Sequence, residues 1–399
     1  MKLLKNAQIA EEYKVFRGSV GKWVAAAVEK ENNLQLEMSN NKWYIIDNPH
    51  NRSELLNLKE RASKFRNKNS YQKVNPNPEL YKIFSYSNLV EMITKMEEIK
   101  MIPIKFSYLN EGADIWDEFI RETFKSENYL SKIGNKLLDE SLPHLVESLR
   151  KYNVINIVDV GVGNGYSLKS LIEILLKNKF EVKYTGIDIS PRMLEIISKN
   201  IKDWYPEMTV ETEIGDMDYM VLREKLFSNK IADNNSCNLI LFLGYTIGNV
   251  YDSHRVFRNF YDSMSVDDYF MFDNKLDLES FRSSFKTPEH PLTIKGVSWI
   301  PNLLGITADM FERINKYDEK SKSRVQVLRL NIDLDIEFNL EVGTKVVSFK
   351  SGDEITVWNH FSHNLDNLIS DIRGNNLGIS FMARAADKSE VLMICEVDR

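Results

Sequence analysis

Short apolar runs alternate with longer amphipathic stretches between residues 156 and 275. The runs are INIVDV, KYTGIDI, TVETEIGD, CNLILFLG and DYFMFDN, and the stretches between them, such as SPRMLEIISKNIKDWY, have a helical spacing of apolar residues. Parallel strands that are covered on both faces give apolar runs of this kind, with amphipathic helices between them. The pattern therefore predicts an α/β fold with a doubly wound sheet.

The pattern changes beyond Arg324, where apolar and polar residues alternate in RVQVLRLNIDLDIEF. Farther along, ISFMARAADKSEVLMICEV predicts two strands joined around residues 387–389. A period of two is typical of antiparallel strands with one buried face. We expect these C-terminal strands at the edge of the sheet or on a cap.

The first hundred residues carry mixed, short signals. KWYIID alternates apolar and polar residues, whereas LKERASKFRNKNSYQKVNPNPEL is strongly charged and predicts a solvated helix and loop. Within the charged stretch, Pro76 and Pro78 each disfavour helical geometry at the residue before them. They indicate a boundary between an N-terminal segment and the rest of the chain.

Length, charge and cysteine content argue against several classes of protein. A chain of 399 residues exceeds what one core usually organises, and 52 basic against 58 acidic residues give no general positive field for nucleic acid. Cys237 and Cys395 are too few for a disulfide framework. Because MKLLKNAQIAEEYKVF lacks the apolar core of a signal peptide and no stretch is long enough to span a bilayer, we expect a cytoplasmic protein with neither a membrane nor a nucleic-acid partner.

Three glycines follow the first strand of the alternating region. Gly161, Gly163 and Gly165 lie at the carboxyl end of INIVDV, where ligands bind in doubly wound sheets and where glycine lets the backbone approach a ligand closely. The sequence GVGNGYS gives GxGxG, whereas the dinucleotide fingerprint is GxGxxG. Taken alone, the loop also fits a tight turn without a ligand.

The ends of the next two strands carry side chains that could bind the same ligand as the glycine loop. Asp188 ends the second strand, where a carboxylate can accept hydrogen bonds from both ribose hydroxyls. Asp216 and Met217 end the third strand, and they offer an acceptor for the exocyclic amine of adenine and an apolar face for its ring. Each carboxylate alone also fits a helix cap or a turn. In this order, the three strand ends predict a site for adenosine.

Several strings also resemble a known family. DVGVGNG, GIDIS, GDMD and LILFLG are similar to motifs of the class I methyltransferases that use S-adenosylmethionine (SAM), and these have a Rossmann-like sheet with antiparallel C-terminal strands. The octet FLGYTIGN resembles the FxGSTIGN signature of amino-acid methyltransferases typified by the histidine-specific Nα-methyltransferase of ergothioneine biosynthesis. KFSYLNEGADIWDEF is similar to that family's KWFYDxxGSxLFDxI, and SFKSGDEITVWNHFSH is similar to its FxxGExIxTExSxKF. The resemblance covers about residues 100–399.

The resemblance implies SAM as the cofactor, a small-molecule or peptide-like acceptor, and a role in amino-acid or secondary metabolism. The cofactor residues that it implies are Asp159, Gly161, Gly163, Gly165, Asp188, Asp216, Met217, Leu243 and Gly244. Asn249 and Tyr108 correspond to residues that bind and orient the acceptor amine, so they are the candidate catalytic residues. The other expected acceptor-pocket residues are Tyr129, Tyr245, Phe285, Trp358 and His360.

The departures from the family concern the acceptor. The family's last motif presents a carboxylate and a hydroxyl to the imidazole of histidine, whereas Trp358 and His360 occupy the corresponding positions. A pocket without those partners discriminates poorly in favour of imidazole. ENYLSKIG is likewise altered from EYYPxRxE, with Lys132 in place of arginine. We therefore expect an amine acceptor other than free histidine, and one that is larger or more apolar.

Two alternatives stay open, and a metal site is not expected. One is methylation of a hydroxyl or carboxylate, with His360 as the available base. The other is a non-catalytic scaffold whose first hundred residues recruit a partner. The His360 and His363 pair lacks the third and fourth ligands that a metal site requires, so we expect no metal. Self-association is left open.

Five segments follow from these patterns. We expect an N-terminal extension of unknown role over residues 1–95 and a helical segment of the substrate cap over 96–145. The SAM-binding Rossmann-like core then spans residues 146–278. A cap insertion over residues 279–350 precedes C-terminal strands over 351–399, which are expected to complete the core and the acceptor pocket.

Overall fold

The computed structural model describes most of the chain. The described residues are 3–13, 17–28, 30, 32–39, 42–64, 71–125, 132–233, 235–250, 252–279, 282 and 290–398. Two predicted acceptor-pocket residues, Tyr129 and Phe285, lie outside them. Within these ranges, no helix has the length and apolar character needed to cross a membrane.

The described strands and helices are numbered in chain order. The strands are β1 (Leu3–Leu4), β2 (Leu36–Ser39), β3 (Lys42–Ile46), β4 (Tyr71–Val74), β5 (Val154–Val160), β6 (Glu181–Asp188), β7 (Thr209–Ile214), β8 (Ser236–Phe242), β9 (Tyr269–Lys275), β10 (Phe311–Asp318), β11 (Ser323–Leu330), β12 (Asp333–Leu340), β13 (Gly343–Phe349), β14 (Glu354–Phe361), β15 (Leu377–Arg384) and β16 (Glu390–Val397). The α-helices are α1 (Asn6–Glu12), α2 (Arg17–Val28), α3 (Pro49–Lys64), α4 (Leu80–Ile83), α5 (Tyr86–Ile99), α6 (Glu111–Phe124), α7 (Lys132–Leu149), α8 (Lys169–Lys177), α9 (Pro191–Trp204), α10 (Arg223–Ala232), α11 (Ser253–Ser263), α12 (Pro291–Leu303) and α13 (Leu365–Gly374). Short 3₁₀ helices span Ile104–Tyr108, Tyr166–Leu168 and Thr246–Gly248.

A seven-stranded sheet forms the core, in the order β15-β16-β9-β8-β5-β6-β7. β5 to β9 pair in parallel, whereas β16 is antiparallel to β9 and β15 is antiparallel to β16. The predicted doubly wound sheet is confirmed, and its parallel strands coincide with the apolar runs. Every residue of β5 and of β8 is buried, which is why their sequences show no alternation.

Helices cover both faces of this sheet. Side chains of β5 that point to one face, such as Ile155 and Ile157, pack with α7, α8 and α9. Those that point to the other face, Val158 and Val160, pack with α10, α11 and α13. The chain leaves β5 toward β6 and β7, and it returns to the other side of β5 at β8. The carboxyl ends of β5 and β8 therefore form the switch point at which doubly wound sheets bind ligands.

A cap of two small sheets lies outside this core. One is the antiparallel sheet β10-β11-β14, and in the other β12 pairs antiparallel with β13 and parallel with β4. The alternating sequence beyond Arg324 forms β11 and β12, while β15 and β16 lie at the edge of the core sheet. The C-terminal strands thus occur in both predicted places.

The cap has its own hydrophobic core. It combines residues that precede the parallel strands in the sequence with residues that follow them. Apolar side chains of α5 and α12 pack there with those of the cap strands. A separate small cluster joins α1, α2 and α3 to the three-stranded sheet β1-β3-β2, with Ile9 and Ile45 at its centre. Because β4 and α5 pack with the cap, we propose that the N-terminal unit ends near residue 70 and that residues 71–99 belong to the cap.

Candidate functional site

A cavity opens at the switch point between the sheet and the cap. The residues of the predicted cofactor and catalytic sets that line it are Tyr108, Asp159, Gly161, Gly163, Gly165, Asp188, Asp216, Met217, Leu243, Gly244 and Asn249. Three successive strand ends, those of β5, β6 and β7, thus meet around one space together with the turn that follows β8. The structure brings these predicted residues together.

The glycine loop is shaped by residues in the left-handed region. Gly163 has a φ of +53° and nothing within 4 Å of the position that a Cβ would occupy, so the backbone at this point is open to a ligand. At Gly165, with a φ of +75°, a Cβ would lie 2.2 Å from Cδ1 of Ile197 in α9. The first position therefore keeps the cavity open, and the second lets the loop pack closely on the helix beneath it.

Asp188 lies against this loop. Its Oδ1 accepts a hydrogen bond of 2.9 Å from the backbone N–H of Ser190, and the backbone N–H of Val162 also donates to the carboxylate. Burial nevertheless outweighs these bonds and raises the pKa of Asp188 to about 6. A buried carboxylate held by backbone donors in this way is oriented toward the cavity that it lines.

Asp159 is the second carboxyl group of the cavity wall. It is 3% exposed, and its Oδ2 accepts a hydrogen bond of 2.7 Å from the hydroxyl of Tyr184. Burial raises the pKa of Asp159 to about 7, because the Tyr184 bond offsets only part of the loss of solvent. One carboxylate oxygen is thereby committed to the sheet and not to the cavity.

Asp216 has a partner that sequence reasoning missed. Its Oδ2 lies 2.7 Å from Nζ of Lys105, a cap residue that also lines the cavity and lies 2.8 Å from Oε1 of Glu91. Burial by itself would lower the pKa of Lys105, but the hydrogen bonds to Asp216 and Glu91 outweigh it and leave that pKa raised. The lysine therefore stays charged. The only signal for it was its position at the start of KFSYLNEGADIWDEF.

A second contact from the cap, also missed in the sequence, holds the glycine loop. The side-chain amide of Asn164 donates to Oδ1 of Asp117 in α6 at 2.9 Å, and Arg121 donates to Oδ2 of the same carboxylate at 2.7 Å. Arg121 also donates to the hydroxyl of Tyr166 and to the side chain of Asn200, each at 3.1 Å. The network joins the loop to the cap and to α9 through charge-assisted hydrogen bonds.

Tyr108 and Asn249, the two candidate catalytic residues, line the same cavity. Tyr108 packs edge-to-face on Trp116, and burial together with the charge of Asp188 raises its pKa, so the phenol keeps its proton. Asn249 ends the short 3₁₀ helix of the TIGN string, where its backbone N–H donates to the carbonyl of Thr246 at 2.9 Å. From this turn, Asn249 lines the cavity.

Three further predicted acceptor residues that the structure describes, Tyr245, Trp358 and His360, are not among the residues that line this cavity. Tyr245 has a φ of +62°, and its hydroxyl donates to Oε2 of Glu390 at 2.7 Å. The His360 ring packs on Gly248, where a Cβ would lie 2.4 Å from its Nε2, and Trp358 stacks on that ring at 6.1 Å between centroids. Burial lowers the pKa of His360 to about 3, so this histidine is neutral.

The residues that line the cavity fit SAM. The open backbone at Gly163 suits the close approach of the cofactor's methionine portion, the Asp188 carboxylate offers acceptors for ribose hydroxyls, and Asp216 offers acceptors for an exocyclic amine. Among the described residues, no group of three or more His, Cys, Asp or Glu side chains is arranged to bind a metal ion.

Comparison with known families gives one match. Residues 87–379 match a family described as "Histidine-specific methyltransferase, SAM-dependent". The match covers most of the chain, including the glycine loop, the TIGN turn and the cap strands β10 to β14. No curated protein matches the chain.

Several solved structures are similar to this chain at low sequence identity and low TM-score. A SAM-dependent methyltransferase from Clostridium acetobutylicum ATCC 824 shares 12% identity, with 73% of this chain and 99% of that chain covered and a TM-score of 0.37. The PH0226 protein from Pyrococcus horikoshii OT3 shares 14%, with 73% and 100% covered and a TM-score of 0.40. The CcbJ methyltransferase from Streptomyces caelestis shares 11%, with 71% and 98% covered and a TM-score of 0.40. Similarity at this level carries no information on the acceptor.

Proposed function

The chain belongs to the family of histidine-specific, SAM-dependent methyltransferases, and we propose that it methylates the amine of an amino acid, a peptide-like molecule or a specialised metabolite other than free histidine. The observation that carries the proposal is the position of Asn249. Asn249 lines the same cavity as the glycine loop and Asp188, at the turn that directly follows the fourth parallel strand. An acceptor held by this amide would lie beside the methyl donor.

Methyl transfer requires the protein mainly to position the acceptor against the methyl donor. SAM, when bound, supplies a methyl group on a positively charged sulfur that leaves as a neutral thioether. The amine nitrogen would form the new C–N bond with its lone pair as the C–S bond breaks, so an acceptor that arrives as an ammonium must lose a proton before it reacts. The methylated nitrogen can then release a further proton to solvent. Alignment of the nitrogen with the methyl carbon is then the main contribution of the protein.

Asn249 and Tyr108 are suited to this task. An amide presents both a donor and an acceptor, so Asn249 can hold a carboxylate of the acceptor and orient its amine at the same time. Tyr108 remains a neutral phenol beside Asp188, and it can accept a hydrogen bond from the amine or donate one to the acceptor. Neither group needs to ionise during the reaction.

The environment of Trp358 and His360 supports an acceptor other than free histidine. The chain has an indole and a neutral, buried imidazole at the two positions where the sequence resemblance implies a carboxylate and a hydroxyl for imidazole. The same neutral histidine is also a weak candidate for the base that a hydroxyl acceptor requires, since its pKa is lowered to about 3. Methylation of nitrogen is therefore the better-supported reaction.

The test combines an acceptor panel with a variant. Amino acids, peptides and amine metabolites are incubated with SAM, and methylated products are identified by mass spectrometry. With the acceptor so found, Asn249→Ala should lower kcat/KM by about 100-fold while SAM affinity, measured by calorimetry, changes by less than about two-fold. Asn178→Ala, at the exposed end of α8, is the matched control and should retain both values.

Equal losses of turnover and SAM affinity in Asn249→Ala would place the amide in the cofactor site instead. Products formed only on oxygen, or efficient methylation of free histidine, would refute the proposed acceptor class. Absence of SAM binding in the parent protein would remove the methyltransferase assignment altogether.

A further inference from the structure

We propose that Lys105, a lysine supplied by the cap, hydrogen-bonds a ring nitrogen of the SAM adenine and forms with Asp216 a donor–acceptor pair that selects this base. The proposal concerns only the cofactor and is independent of the acceptor. It starts from a charged side chain that is 5% exposed, lines the cofactor cavity and has no role in the chemistry outlined above.

The local helix explains why Lys105 faces the cavity. Residues three apart on a 3₁₀ helix lie above one another on the same face. Lys105 and Tyr108 are so spaced on the helix Ile104–Tyr108, and both line the cavity. The charge of Asp188 contributes to the raised pKa of Tyr108, whereas Lys105 contacts Asp216. One helical face thus reaches the ribose end and the adenine end of the site.

The ammonium group of Lys105 has a donor to spare. Of its three N–H groups, one is directed to Asp216 at 2.7 Å and one to Glu91 at 2.8 Å. The next carboxylate, that of Asp218, is 3.9 Å away, which is beyond hydrogen-bond distance. The rings of Phe106 and Tyr219 lie 5.5 and 5.3 Å from the nitrogen. Among the residues that the structure describes, the third N–H has no hydrogen-bond partner, so it can bind a ligand in the cavity that Lys105 lines.

Asp216 has the complementary capacity. Its Oδ2 takes the lysine, its Oδ1 accepts from the backbone N–H of Asp218 at 3.0 Å, and each oxygen keeps a second lone pair. Adenine presents an exocyclic amine donor next to ring-nitrogen acceptors. An acceptor and a donor held 2.7 Å apart match that edge. Hypoxanthine, which has a carbonyl in place of the amine, would face the carboxylate with an acceptor and bind poorly.

The experiment measures binding of four ligands by calorimetry: S-adenosylhomocysteine, its inosyl analogue, and its 1-deaza and 7-deaza analogues. The parent protein should bind the inosyl analogue at least ten-fold more weakly than the adenosyl compound, and it should lose about ten-fold on one of the two deaza analogues. Lys105→Met should weaken binding of the adenosyl compound about ten-fold, and it should bind that same deaza analogue as well as the adenosyl compound.

The pattern across ligands separates recognition from a structural effect. If Lys105→Met loses the same factor on all four ligands, the lysine only shapes the site and the proposal is overturned. If the parent protein binds both deaza analogues as tightly as the adenosyl compound, the proposal is refuted. This result needs only the parent protein, so the test remains decisive even if Lys105→Met folds poorly. Lys82→Met, an exposed lysine paired with Glu79, is the matched control and should leave all four affinities unchanged.

Discussion

The ionisation of Asp188 should make cofactor affinity depend on pH. Ribose hydroxyls donate hydrogen bonds, so the site needs the carboxylate form of Asp188, and a protonated acid would lose acceptor capacity. Burial raises the pKa of this group to about 6, although backbone N–H groups hold the charged form. As the pH falls through 6, the group gains a proton, and the binding-competent fraction of the protein falls with it.

The size of the effect follows from that pKa. A group with a pKa of about 6 is about 90% ionised at pH 7 and about 10% ionised at pH 5, and apparent affinity scales with the competent fraction. The dissociation constant for S-adenosylhomocysteine should therefore rise about ten-fold between pH 7 and pH 5. Calorimetry at half-unit intervals of pH measures it directly, with circular dichroism at each pH to verify that the protein stays folded.

Two variants identify the titrating group. Asp188→Asn keeps the shape but not the charge, so it should bind about 10- to 100-fold more weakly at pH 7 and show no slope between pH 5 and pH 7. Asp203→Asn, at an exposed position of α9, is the matched control and should keep the slope of the parent protein. A flat profile in the parent protein, or a slope that survives in Asp188→Asn, would refute the reasoning.

Two further predictions concern stability. Burial raises the pKa of Asp159 from 3.8 to about 7, so its ionisation should lower the free energy of unfolding as pH rises from 4 to 7, by at most about 4 kcal/mol. Asp159→Asn should therefore be about 2 kcal/mol more stable than the parent in urea unfolding at pH 8 but not at pH 4.5, and an equal change at both values would contradict this. A Cβ at Gly248 would lie 2.4 Å from the His360 ring, so Gly248→Ala should cost about 1–3 kcal/mol. His360→Ala in the same chain should recover most of that loss, whereas simple addition of the two single effects would show that the contact is unimportant.

The parallel sheet, and the convergence of the candidate cofactor residues at its edge, were predictable because their signals are local. An apolar run followed by Gly161, Gly163 and Gly165 is one continuous strand-to-loop pattern, and Asp188 follows at the next strand end. Parallel strands place their carboxyl ends at one edge of the sheet, so residues that are separate in sequence converge without any knowledge of side-chain packing. This part of the site needs only the order of the elements.

The contacts of the cap could not be predicted in this way. Lys105 meets Asp216 across 111 residues of sequence, and Asp117 meets Asn164 across 47. No periodicity or spacing relates such pairs, because they depend on how the cap packs over the strand ends. The motif containing Lys105 and Asp117 indicated a site, but the partners of these residues became visible only in three dimensions.

Tyr245 shows that proximity to a motif in sequence is not enough to place a side chain. Gly244 and Thr246 on either side of it line the cofactor cavity, and Tyr245 does not. Its left-handed backbone, with a φ of +62°, lets the chain turn there, and its hydroxyl is hydrogen-bonded to Glu390. A turn of this kind reverses the direction of one side chain within a short string, which no pattern of residue types signals reliably.

The cap takes part in forming the cofactor site as well as covering it. Lys105 contacts the loop after β7, Tyr108 lies beside Asp188 at the end of β6, and Asp117 holds Asn164 in the loop after β5. All three residues come from the short segment that contains the 3₁₀ helix and α6. Since these contacts fix the strand-end loops, a displacement of this segment would disturb cofactor and acceptor binding together.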